Sequence, residues 1–138
     1  MPSTRQKTDL IWRWIGRWKP RLLLDKWAVI PKLDDHDPVR KDGVVDMAGS
    51  VVDQTNSECW LSVYPRLWKE SKEYQEMTII HEMAHIHTDP VRDLLMKSVK
   101  DGTLDKKDVT DKVEDLTNSI AKIVYLAYRR TKRKQYHL

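Results

Sequence analysis

The chain has 138 residues, of which 40% are hydrophobic and 33% charged, and a formal net charge of +4. This composition suits one domain with a modest core and excludes an intrinsically disordered chain. No apolar run approaches the ~20 residues of a membrane span. A single cysteine, Cys59, excludes an intramolecular disulfide, and its apolar setting reads as a buried, inert thiol.

The first nine residues hold no apolar segment followed by a small-residue cleavage site, so no signal peptide and a cytoplasmic location are expected. Leu10, Ile11, Trp14, Ile15 and Trp18 recur at helical spacing and predict an amphipathic helix over 6–18, ended by Pro20. Residues 27–33 predict a first strand, with Pro31 favouring an edge or a bulge. Residues 34–38 are turn chemistry. A second strand is expected over 44–53, with Gly49 permitting a bulge, and a third over 59–64, ended by Pro65. The polar turn Gln54-Thr55-Asn56-Ser57 between them suggests an antiparallel hairpin.

Beyond Pro65 the pattern is helical. Residues 69–87 carry Met77, Ile80 and Ala84 on one stripe and Ile79, Met83 and Ile86 on the next, which predicts a largely buried helix. Asp89 followed by Pro90 reads as an N-cap with proline at the first helical position, opening another helix through Leu94, Leu95 and Val99 that Gly102 ends. Thr110 or Asp111 is expected to cap a last helix whose core stripe is Leu116, Ile120, Ile123, Val124 and Ala127. The whole, 1–138, reads as one α+β domain.

Within the buried helix stands His81-Glu82-Met83-Ala84-His85, a match to H-E-x-x-H. Residues four apart share a helix face, so both imidazoles can grip one metal ion, while Glu82 lies one position round, where a carboxylate can deprotonate a water. A zinc site of this kind needs a third protein ligand and leaves a fourth position to water. His87 points to the opposite side of a continuous helix. The position six after His85 is Val91, not histidine. Asp89 is close, but capping is its simpler role. Glu114 is the best candidate, near the start of the last helix on a face shared with Asn118, Ala121 and Tyr125. Its neighbour Asp115 is the alternative.

The run Thr78–His85, followed by Glu114–Ala121, resembles the small gluzincin-type zinc metallopeptidases common in bacteriophage genomes. The resemblance covers roughly residues 24–128. It implies a zincin-like minimal domain: an N-terminal helix, a small three-stranded and mostly antiparallel sheet, the H-E-x-x-H helix and two C-terminal helices. It also implies His81, His85 and Glu114 as ligands of one Zn2+ per chain and Glu82 as general base. Ala84 and His87 depart from the pattern, standing where such proteins often carry larger apolar residues. The Trp-rich first helix and the basic C-terminus lie outside it.

The expected function is thus a zinc-dependent metallopeptidase in the cytoplasm (that of the host, if phage-encoded) with a peptide or protein substrate. Tyr125, Tyr128 and Arg129 are candidates to stabilise an oxyanion, Asn118 or Asp115 to support the histidines, and strand 59–64 to present an edge to the peptide. The alternative is a binding module on the same scaffold, which recognises nucleic acid or a protein through the basic tail 129–138.

Overall fold

A computed structural model describes residues 2–136. In chain order it holds α1 (Thr4–Arg21), β1 (Ala28–Leu33), β2 (Ala48–Asp53), β3 (Glu58–Val63), a 3-10 turn (Pro65–Lys69), α2 (Lys72–Lys100) and α3 (Lys106–Tyr136). The α+β class agrees with expectation, as does the order of one helix, three strands and then helices, although only one helix follows the H-E-x-x-H helix where two were expected. No helix among the described residues is long and apolar enough to cross a membrane. The chain forms two compact units whose boundary falls inside α2, between Met83 and Ala84.

In the first unit, α1 begins with a capping box: the Ser3 hydroxyl accepts from the Gln6 amide, and the Gln6 side chain accepts from the Ser3 amide. Pro20 does not end the helix as expected. It sits in the last turn, and the chain turns off only at Leu23, whose positive φ of 59° lets the amides of Leu23 and Leu24 reach back to Pro20 and Lys19. Ile11, Trp14, Ile15 and Trp18 are buried, at the predicted spacing.

The sheet has the order β1-β3-β2. β2 and β3 form the expected antiparallel hairpin, but β1 runs parallel to β3, so the sheet is mixed rather than mostly antiparallel. β3 is also the central strand, paired on both sides, and cannot present the edge expected of it. The edge strands are β1 and β2. Gly49 makes no bulge, since β2 pairs with β3 without interruption from Ala48 to Asp53. Its missing Cβ instead makes room for the Tyr64 hydroxyl, which would lie 3.3 Å away. Cys59, Leu61 and Val63 face the core and are fully buried, as expected for Cys59. Trp60, on the other face, is half exposed beside Val51.

The N-terminal part of α2 contributes Gln75, Ile79, Ile80 and Met83 to this core. Glu76 ties it to α1: one carboxylate oxygen accepts from the buried Trp18 indole at 2.9 Å and from Arg17 at 2.6 Å. These two bonds tie the Trp-rich helix to the start of the helix that carries the motif.

In the second unit, the two helices expected around Asp89-Pro90 are one, because α2 runs unbroken to Lys100 with Pro90 inside it. Asp89 is therefore not an N-cap. Gly102, with φ of 83°, turns the chain toward α3, whose first turn is capped by Asp105 accepting from the Lys107 amide at 2.7 Å. The cap expected at Thr110 or Asp111 thus comes five residues earlier or more. The core stripe of α3 is rotated from expectation as well. Val109, Val113, Thr117 and Ala121 are buried, whereas Leu116 and Ile123 are exposed.

Glu76→Ala removes a charged acceptor from a buried indole, and a loss of roughly 2–3 kcal/mol is expected. Glu76→Gln, which keeps an oxygen for Trp18, should lose less. Urea unfolding of the two variants beside wild type measures the difference.

Candidate metal centre

His81 and His85 lie one turn apart on α2 and share a face. His85 is buried, and its Nε2 stands 3.1 Å from Glu114 Oε1. One ligand atom each from His81, His85 and Glu114 lies within 4.8 Å of the other two. Donors held tetrahedrally by one zinc ion at about 2.0–2.2 Å lie roughly 3.3–3.6 Å apart, so a bound set is tighter than the 4.8 Å span of these atoms. Two imidazoles and one carboxylate are the donor chemistry that zinc takes with one position left for water. In donor type the residues therefore fit the ion.

Glu114 reaches this place from the ninth residue of α3, not from its first turn. That removes the simplest competing role, interaction with the helix N-terminus, because the effect fades beyond the first turn. Glu114 follows directly on Val113 of the buried stripe, which leaves its side chain half exposed.

The second nitrogen of His85 is also engaged. Nδ1 lies 3.2 Å from Asp89 Oδ1, one turn further along the same helix. It lies 3.5 Å from the Thr88 hydroxyl, which in turn is 2.8 Å from the Thr117 hydroxyl of α3. Thr117 donates to the Val113 carbonyl at 2.8 Å. Thr88 and Thr117 are almost wholly buried. Their contact fixes the register of α3 against this part of α2, one turn from Glu114.

Glu82 is held from the sheet: the Ser50 hydroxyl of β2 donates to its Oε2 at 3.0 Å. Ser50 lies on the core face of β2, alternating with exposed Val51. The strand thus restrains the carboxylate that the motif nominates as base.

Among the described residues, neither Asp115 nor His87 joins this group. Asp115, Asn118 and His87 are exposed. Tyr125 stands three turns, roughly 16 Å, beyond Glu114 along α3, and Tyr128 and Arg129 further still. Arg129 stacks on Tyr125 and Lys132 on Tyr128 instead. Asp89 and Thr88 are the groups set against Nδ1 of His85. The signal for Asp89 was its spacing of four from His85, which carries meaning only if the helix continues through Pro90. Nothing local in the sequence marks Ser50.

Thr117→Val removes the partner of a buried hydroxyl at nearly constant volume. A loss of roughly 1–2 kcal/mol, measured by denaturant unfolding, is expected. A scan against models of known families and searches among curated proteins and solved structures returned no match for this chain, so the reading of this group rests on its own geometry.

Proposed function

We propose that this chain is a zinc-dependent hydrolase of peptide bonds, in which His81, His85 and Glu114 hold one Zn2+ and Glu82 is the general base. The observation that carries the reading is the gathering of three zinc-type donors, two of them flanking Glu82 in one helical turn. When bound, the ion supplies Lewis acidity, which acidifies water and polarises a carbonyl. Glu82 accepts the proton of the attacking water and delivers it to the departing amine. Ser50 restrains the Glu82 carboxylate for that transfer by holding Oε2. An extended substrate adds along β2, the edge strand that carries Ser50.

Protein purified without chelator is expected to carry about one zinc per chain, as a three-ligand site implies. Glu114→Ala should lose the metal. Glu82→Gln should keep it and lose hydrolysis by roughly 10²- to 10⁴-fold. Elemental analysis beside a peptide-cleavage assay checks all three, and a wild type that neither carries nor takes up zinc sinks the reading.

A second reading draws on α3. From Ser119 to Tyr136 the helix has no acidic residue, while Lys122, Arg129, Arg130, Lys132, Arg133 and Lys134 are cationic. Arg129, Arg130 and Lys132 are exposed, which suits a nucleic acid backbone. His137 and Leu138, the end of the basic tail, lie outside the described residues. If the helix binds DNA, Arg130→Gln with Lys132→Gln should flatten the slope of log K against log salt by about 1.8, two phosphate contacts' worth. Binding that ignores salt, or an unchanged slope, counts against it.

A further inference from the structure

We propose that Asp89 is the positioning residue of the metal centre: its carboxylate holds His85 as the Nδ1–H tautomer, so that Nε2 is the nitrogen offered to the ion. The inference rests on the zinc reading above and adds a residue that H-E-x-x-H does not contain.

Hydrogen-bond bookkeeping carries it. Each threonine hydroxyl has one proton. That of Thr117 goes to the Val113 carbonyl. In the 2.8 Å contact between the hydroxyls, Thr88 must then be the donor. Thr88 has no second proton for His85, so toward Nδ1 it presents only lone pairs. Asp89 Oδ1, at 3.2 Å, is likewise an acceptor. Every polar group that faces Nδ1 in these contacts accepts, so when an ion takes the Nε2 lone pair, the ring proton is left on Nδ1 with an acceptor waiting for it. Nε2 lies on the side of Glu114, the other candidate ligand, which is the nitrogen the ion would meet.

The carboxylate has a cationic neighbour. Its Oδ2 is 3.8 Å from Arg92, one turn further along α2, and its side chain is largely buried. A carboxylate–histidine–metal arrangement both sets the tautomer and strengthens the imidazole as a ligand, and loss of such a partner typically costs 10- to 100-fold in metal affinity. The unbroken α2 makes this possible: His81, His85 and Asp89 stand at successive turns of one face, two as donors to the ion and one behind the second donor.

The test is zinc affinity by chelator competition for wild type, D89A, D89N and, as a control on an exposed carboxylate, D115A. D89A is expected to bind zinc 10- to 100-fold more weakly. D89N, which retains an acceptor oxygen, should fall between, and D115A should match wild type. Circular dichroism of the metal-free proteins checks that each is folded, and the near-isosteric D89N covers a D89A that is not. In the zinc-loaded wild type a slowly exchanging Nδ1 proton of His85 should be seen by NMR and should vanish in D89A, which a general loss of negative charge would not produce. Equal affinities in wild type, D89A and D89N overturn the role of Asp89 and leave the zinc reading standing. A wild type that binds no zinc overturns both.

Discussion

The candidate site depends on one constraint, the unbroken 3.6-residue period of α2. A helix interior rarely tolerates proline, which removes a main-chain donor and crowds the preceding turn. Here α2 nonetheless keeps its phase through Pro90. Had the chain broken at Asp89, that carboxylate would have capped a new helix and His85 would have lost its partner. Because it does not break, positions 81, 85 and 89 stay aligned, and one element supplies two candidate ligands, the candidate base and the group behind a ligand.

The surroundings hold this helix without adding much chemistry of their own. At its start, Glu76 is gripped by the indole of Trp18 and the guanidinium of Arg17. Further along, Ser50 reaches Glu82 from β2. Past the motif, two buried threonines fix where α3 lies, and with it Glu114. Each contact satisfies a polar group that burial would otherwise penalise. The same bonds that stabilise the fold therefore aim the side chains of the site.

The sequence made the parts with a period legible and hid those that depend on distant partners. The motif helix, the Trp-bearing α1 and the β2–β3 hairpin follow from spacing and turn chemistry alone. The parallel pairing of β1 with β3 does not, since strand order is set by packing between distant segments. In α3 the spacing of the bulky residues points to the wrong phase, because bulk is not burial. Leu116 and Ile123 face outward, while Thr117 and Ala121 are inside. Small side chains are what a close approach of α2 and α3 near Thr88 accepts, and the threonine hydroxyls are tolerated there because they bond to each other. At Asp89 the strong local punctuation of Asp-Pro is overridden by tertiary context, and α2 runs through it.

The uneven burial of the candidate ligands bears on how an ion would come and go. His85 is enclosed and braced, whereas the Glu114 side chain is half open to solvent. On the proposed reading, the carboxylate is the ligand most open to water and to a competing chelator. All three ligands then set how tightly the ion is held, while the open side of the centre, where a chelator would approach, is the side of Glu114.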